Sequence, residues 1–220
     1  MNAPVDSKHI CDTLSPFVTS ERKARIEDVL DSRTEHVQVV LEDVSDLGNI
    51  QAVMRTTESL GFLDLHLINS RKEDRIKTSN RASSGSEKWL QIRHWDDAAG
   101  CVAHLKSRGF KIAVTDLRAT ETIDSLPVEQ PLALVFGNEH AGTSPALMAL
   151  ADVRFRIPMR GFTQSFNISV AAAISLFSLS KRSPALPKLA EADRMDVRAH
   201  YYRQSVPYSD ALLRHTRRNT

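Results

Sequence analysis

An α/β fold with a mostly parallel β-sheet flanked by helices is the class this 220-residue sequence predicts, on three features. Residues 132–136 form a short unbroken apolar run between Pro131 and Gly137, as expected of a strand buried on both faces. Further strand-like runs at 37–41, 63–68, 110–115 and 153–157 are separated by helical patterns at several points, which is the signature of βα units. Polar loops leave the strands at 132–136 and 153–157, and each runs into a helix. Such loops sit at the carboxyl ends of an open sheet, where small ligands bind.

Taken in order, Thr19 or Ser20 caps a helix through about Asp31, with Ile26, Val29 and Leu30 inward and Arg22, Lys23 and Arg25 outward. After the strand at 37–41, a helix opens at Asn49 and ends near Gly61. Ile50, Val53, Met54, Thr57 and Leu60 share one side of it, and Arg55 lies roughly opposite, so the pattern makes Arg55 solvent-facing. Residues 71–93 hold seven Lys or Arg against three acidic residues, with Ser and Gly between. This reads as a basic loop suited to phosphate contacts through Arg75, Lys77, Arg81 and Lys88, with Trp89 as its anchor. A helix over 96–108 is stopped by Gly109, and the strand at 110–115 follows. Ser144 and Pro145 open a helix through about Leu150, as an N-cap followed by proline at the first helical position. From Ser165 a last helix carries an apolar stripe of Phe166, Val170, Ile174 and Phe177, while Ala171, Ala172 and Ala173 leave it able to pack closely on more than one side. Beyond the linker with Pro184 and Pro187, the tail interleaves Tyr201, Tyr202 and Tyr208 with Arg203, Arg214, Arg217 and Arg218. Such a tail can stack on RNA and neutralise it, or fold over the domain.

The composition, 41% hydrophobic and 25% charged, supports one cored domain with extensions. No run approaches a membrane span, the first residues lack a signal-peptide core, and a cytoplasmic protein without membrane partners is expected. Cys11 and Cys101 are isolated, which suggests neither a disulfide framework nor a zinc motif, and no metal is expected. Net charge is only +2, but residues 181–220 carry +5 against −2 for residues 1–36 and −1 for 37–180. Gly137, Gly142 and Ser144 fall on a phosphate-loop spacing, yet Thr143 stands where that motif needs lysine, which argues against a nucleotide hydrolase.

Three blocks, DLGNIQAVMRTTESLGF, LVFGNEHAGTS and RIPMRGFTQSFNISVAAAISLF, resemble in order the motifs of the SpoU/TrmH-type RNA ribose 2′-O-methyltransferases of the SPOUT superfamily. The resemblance spans about residues 37–181. It implies an α/β domain with a C-terminal trefoil knot, a homodimer formed through the knot region, and S-adenosylmethionine (AdoMet) held largely by backbone. It divides the chain into an N-terminal helical extension (1–36), the methyltransferase domain (37–181) and a basic C-terminal extension (182–220), and implies that the extensions help hold RNA. By the same resemblance Asn49, Arg55, Glu139, Asn167 and Ser169 are catalytic-site residues, and Thr115, Gly137, Ile157 and Phe166 line AdoMet. Phe166 stands where the family usually has leucine. Arg22, Lys23, Arg25, Arg75, Lys77, Arg81, Lys88, Arg214 and Arg217 are the expected RNA contacts.

Methyl transfer from a sulfonium requires the ribose hydroxyl in line with the methyl group and a route for its proton. One version gives Arg55 the proton-accepting role. In the other, because free guanidinium is essentially never deprotonated, Arg55 orients the phosphate and stabilises the developing alkoxide. Short extensions around a small domain resemble the enzymes acting on guanosine 18 of the tRNA D-loop. Ribosomal RNA, another tRNA position, and a non-catalytic RNA-binding module are the alternatives.

Overall fold

The computed structural model describes residues 6–70, 85–182 and 186–218. The chain divides into two compact units, Thr34–Pro187 and a helical unit of Met1–Arg33 with Lys188–Thr220.

In the larger unit β1 (Val37–Glu42), β2 (Asp64–Ile68), β3 (Gln91–Trp95), β4 (Lys111–Thr115), β5 (Leu132–Phe136) and β6 (Val153–Phe155) form one sheet in the order β3-β2-β1-β5-β4-β6. Every pairing is parallel, with Val39 opposite both Leu65 and Leu134. The period-2 alternation of strand side chains gives the sheet two apolar faces. Val37, Val39, Leu41, Leu134 and Phe136 pack with Ile50, Val53 and Met54 of one helix and Leu176 and Leu179 of another. Val40, Ile112, Val114 and Val135 pack with Cys101, Leu105 and Leu147 on the other side. Being covered twice, β1 and β5 are buried along their whole length, which is why their sequences are apolar runs rather than alternations.

The first face is covered by α3 (Leu47–Ser59) and α6 (Ile168–Lys181), the second by α4 (Ala98–Ser107) and α5 (Pro145–Leu150). Three element boundaries differ from expectation. Helix α3 starts at Leu47 rather than Asn49, because the Asp46 carboxylate accepts from the Asn49 N–H at 2.9 Å and caps the helix. The segment expected to be loop through Arg93 closes earlier: a 3-10 turn at Ser86–Trp89 leads into β3, which among the described residues is an edge strand paired with β2. Helix α6 begins at Ile168 with Asn167 as its cap, not at Ser165. Its buried residues are Ile168, Ala172, Ser175, Leu176 and Leu179, and the stripe read from the sequence points the other way: Phe166, Val170 and Phe177 are 37%, 44% and 53% exposed.

In the helical unit α1 (Ser7–Leu14), α2 (Ser20–Leu30), α7 (Glu191–Ser205) and α8 (Ser209–Arg218) pack around Ile10, Leu14, Ile26, Leu30, Val197 and Leu213. Thr19 caps α2 through a bond from the Arg22 N–H. Glu27 receives Arg198 at 2.6 Å and Arg194 at 2.8 Å, tying α2 to α7. The guanidinium of Arg198 and burial act in opposite directions on the Glu27 carboxyl, and the arginines prevail and lower its pKa. Tyr201 and Tyr202 are buried here, and the Tyr201 hydroxyl accepts from Arg33 Nε at 3.0 Å, so neither ring is a platform for a base. Arg203 pairs with Asp210. Tyr208 and Arg214 remain exposed.

Candidate active site

The loops after β4, β5 and β6 meet at the carboxyl ends of the strands around a cavity of about 680 Å³, and the loop after β1 is bonded to the β5 loop beside it. Small-molecule pockets generally measure ~300–1,000 Å³. Phe136, Met148, Phe155, Ile157, Phe166 and Ile168 supply its apolar lining. Gly137 ends β5 where a Cβ would lie 2.3 Å from the Gly142 carbonyl carbon and the Thr143 nitrogen, so only glycine lets the loop fold back across the strand end. The fold-back is closed by paired backbone bonds between Asn138 and Gly142.

The loop is pinned from both sides. Asn138 Nδ2 donates to the Asp43 carbonyl at 2.7 Å, and its Oδ1 accepts the N–H groups of His140 and Ala141. Buried Glu42, at the end of β1, accepts the Ser144 N–H at 2.8 Å and the Ser144 hydroxyl at 2.6 Å. Asp43 adopts a left-handed φ of 49° and its carboxylate accepts from both the N–H and the hydroxyl of Ser70.

At the cavity edge four of the five expected catalytic residues form one hydrogen-bonded relay. Glu139 accepts from Asn49 Nδ2 at 3.1 Å, from the Ser45 and Asp46 N–H groups at 3.2 Å each, and from the Ser45 hydroxyl at 3.3 Å. A carboxylate only accepts, so the Asn49 nitrogen must face Glu139 and its oxygen must face away. That oxygen accepts from Asn167 Nδ2 at 3.0 Å, and Asn167 Oδ1 then accepts the Ser169 N–H at 2.8 Å and hydroxyl at 2.6 Å. Partial burial alone would raise the Glu139 pKa, but its own N–H, Asn49, Ser45 and Asp46 together outweigh it and hold the carboxyl below its ordinary value. The relay therefore carries a fixed negative charge at neutral pH.

Thr115, Gly137, Ile157 and Phe166, the four expected cofactor residues, all line the cavity together with Glu139 and Asn167. Thr115 donates its hydroxyl to the Val135 carbonyl, and its own carbonyl accepts from the Thr143 hydroxyl at 3.4 Å, which ties this wall of the cavity to the loop after β5. Arg55 is not among the lining residues. It is exposed on α3 in a separate groove of about 570 Å³ formed with Leu60, Ala173, Ile174 and Phe177, and among the described residues its guanidinium has no hydrogen bond or ion pair. Ser45, Asp46, Glu42 and Asn138 are parts of the site that sequence reasoning assigned no role or only a passing one. The Asp-x-x-Asn spacing of a helix cap could have found Asp46.

Of the expected RNA contacts, Arg22 and Arg25 are exposed and Lys23 half-buried on α2, and Arg214 is exposed on α8. Lys88 is exposed, with its ammonium 4.8 Å from the centre of the Trp89 ring. Trp89 is half-buried in the 3-10 turn, as an anchor would be. Arg75, Lys77, Arg81 and the Arg217 side chain lie outside the described residues.

A parallel α/β sheet with a cofactor-sized cavity at its strand ends, edged by a polar relay, defines a ligand-binding α/β protein whose site is built by loops. The sequence pattern described as the SpoU rRNA Methylase family matches residues 36–177, and the chain belongs to that family. A tRNA (guanosine(18)-2′-O)-methyltransferase of Borreliella burgdorferi is 39% identical over 197 residues, covering 88% of this chain and 89% of the relative. The crystal structure of the A. aeolicus TrmH/SpoU tRNA modifying enzyme superposes with a TM-score of 0.77 at 28% identity, over 85% of this chain and 98% of that one. An AdoMet-bound rRNA methyltransferase from Sinorhizobium meliloti does so with a TM-score of 0.60 at 25% identity, over 70% and 60%.

Proposed function

We propose that this protein is an AdoMet-dependent tRNA methyltransferase that modifies the ribose 2′-hydroxyl of guanosine 18 in the D-loop. The observation that carries the reading is the relay: Asn49, Glu139, Asn167 and Ser169 come from three distant segments, yet join in one chain of hydrogen bonds beside the cavity. The tRNA assignment rests on the 39% identical relative, against 25% for the ribosomal RNA enzyme.

AdoMet would supply an activated methyl group on a sulfonium. Gly137, Ile157 and Phe166 would hold it through backbone and apolar contact, with Thr115 forming part of the cavity wall. The Glu139 charge, locked by Asn49 and the Ser45 and Asp46 N–H groups, fixes the loop after β5 against the start of α3. Such preorganisation costs no rearrangement when the hydroxyl attacks. Asn167 both caps α6 and orients Asn49. Arg55, with its guanidinium uncommitted among the described residues, is assigned to the substrate phosphate rather than to taking the proton.

The exposed Val170 and Phe177, with half-buried Ile174 between them on α6, argue for a homodimer through the knot region, because single solvent-facing apolar residues are ordinary but a row along one helix is a contact surface. Arg55 lies beside that surface. The knot itself belongs to this proposal: β6 lies at the sheet edge beyond β4, whereas α6 packs on α3 beside β1, so the chain must return across the strand ends. The extensions 1–36 and 182–220 are assigned to RNA holding, and tRNA chemistry puts the protein to work in the cytoplasm. Among the described residues no helix is long and apolar enough to cross a membrane.

Methyl transfer from labelled AdoMet to unmodified bulk tRNA, beside a ribosomal RNA control, tests the reading. Label recovered as 2′-O-methylguanosine from tRNA is the expected result; label in ribosomal RNA alone would overturn the substrate.

A further inference from the structure

We propose that Arg118, Arg154, Arg156 and Arg160 form a phosphate-binding rim at the mouth of the cofactor cavity, which takes the RNA backbone flanking the target ribose. The inference rests on the proposed function and adds the residues that seat the substrate.

Two segments distant in sequence bring these side chains together. The turn after β4 carries Arg118, and the edge strand β6 and the chain beyond it carry the others; β4 and β6 pair with Val114 opposite Arg154 and Thr115 opposite Phe155. Arg118 and Arg156 line the cavity directly, and Arg160 follows Met159, which also lines it. The chain at Arg156 is held by backbone bonds with Glu121 and Ile123, so the guanidinium extends from a fixed point.

The four charges are poorly neutralised from within. Among the described residues the side chains of Arg156 and Arg160 have neither a hydrogen bond nor an ion pair. The Arg118 side chain is 91% exposed, with its Nε 3.7 Å from Asp116, beyond hydrogen-bond reach. Arg154 stands 3.9 Å from the other oxygen of the same carboxylate and reaches the Met148 carbonyl only at 3.4 Å. One nearly buried Asp116, whose Oδ1 already accepts the Arg118 N–H at 2.9 Å, thus faces two guanidiniums loosely. Of the other carboxylates nearby, Glu121 is engaged by the Ser125 hydroxyl at 2.7 Å, and Glu139 by Asn49 and the Ser45 and Asp46 N–H groups.

The charge of the ligand decides what this rim is for. AdoMet carries a sulfonium and an ammonium against one carboxylate, so it is a net cation and gains little from four arginines. An RNA strand whose ribose enters the cavity brings a phosphate on each side of that ribose to the mouth. Arginine matches phosphate in both charge and geometry, and such contacts set register rather than sequence.

The test uses the full chain with Arg118→Gln/Arg156→Gln and with Arg118→Lys/Arg156→Lys. On a single strand each phosphate neutralised by the protein contributes ~0.7 to the slope of log affinity against log salt. The glutamine pair should therefore flatten the slope for tRNA binding by ~1.4 and raise KM for tRNA about tenfold, with a smaller change in AdoMet affinity and a parental Tm. The lysine pair should restore most of the slope. An unchanged slope and KM in the glutamine pair would overturn the rim, as would a loss that tracks weakened AdoMet binding. If the unaltered protein binds tRNA but transfers no methyl to it, the functional reading fails, while the salt slopes still decide the rim.

Discussion

Replacing Asn167 with aspartate separates the two jobs this side chain holds. As cap of α6 its Oδ1 accepts the N–H and hydroxyl of Ser169, and an aspartate oxygen does the same. As a link in the relay its Nδ2 donates to Asn49, which a carboxylate cannot do; it would instead set an oxygen against the Asn49 oxygen. Asn49 would have to turn, and in turning would withdraw the nitrogen that Glu139 accepts. Asparagine and aspartate are comparable caps, so Asn167→Asp should melt near the parent temperature. Asn167→Ala loses the cap as well, about 1 kcal/mol, which lowers Tm by ~2–4 °C in a chain of this size. Both should lose about 100-fold in kcat/KM, equivalent to ~2.7 kcal/mol of transition-state stabilisation, because a displaced site loop costs on this scale. Thermal melts and single-turnover methyl transfer at a temperature well below either Tm measure the two effects separately. Near-parental turnover in Asn167→Asp would refute the relay, as would losses in the two variants that scale with their Tm.

Other perturbations have equally direct expectations. Gly137→Ala would drive a methyl group into the Gly142 and Thr143 backbone at 2.3 Å, so calorimetry should find AdoMet binding lost and a stability cost of roughly 1–3 kcal/mol; normal binding would contradict the role given to that crossing. Phe177→Glu should convert the proposed dimer to a 24.6 kDa monomer in sedimentation, and an unchanged species would place the interface elsewhere. His66 is pushed down to about 3, first by burial and then by the charges of Arg93, His104 and Arg108. Its folded pKa lies below the unfolded value of ~6.5, so stability should fall as pH drops from there toward 3, by ~1.4 kcal/mol per unit. Chemical denaturation across that window should give a shallower slope for His66→Leu; an identical slope would exclude His66 as its source. Glu139 acts in a lower window, since its lowered pKa makes its contribution complete above the ordinary carboxylate value and lost as pH falls through the folded one. Activity that declines only in acid, and not in Glu139→Gln once its basal loss is allowed for, is the expected profile.

The sheet was most legible where its strands are buried on both faces: β1, β2 and β5, buried along their whole length, fall within a residue of their expected bounds, and the less fully buried β4 and β6 within two. The edge strand β3 was not, since Gln91, Ile92, Arg93, His94 and Trp95 are only partly buried or exposed and leave no apolar run to read. The stripe on α6 was visible but its direction was not. Periodicity reports which residues share a face, and here both faces are apolar, so small Ala172 and Ser175 pack inward while Phe177 faces out. Tyr201 and Tyr202 looked like stacking rings because composition cannot distinguish a basic tail from a helix with a core side; only the packing of α7 decides it. For the site, the motif resemblance singled out Asn49, Glu139, Asn167 and Ser169, whereas the contacts of Ser45 and Asp46 with Glu139, and the Glu42–Ser144 pair that pins the same loop, depend on chain crossings that no local pattern encodes. Arg55 came with the same motifs, yet stands in its own groove.

The most direct measurement pairs an unmodified tRNA with one in which guanosine 18 alone carries a 2′-deoxyribose, each offered to the protein with labelled AdoMet. One methyl group per unmodified tRNA and none on the deoxy-substituted molecule is the predicted result. Equal incorporation into both would contradict the claim that this site delivers its methyl group to that ribose hydroxyl.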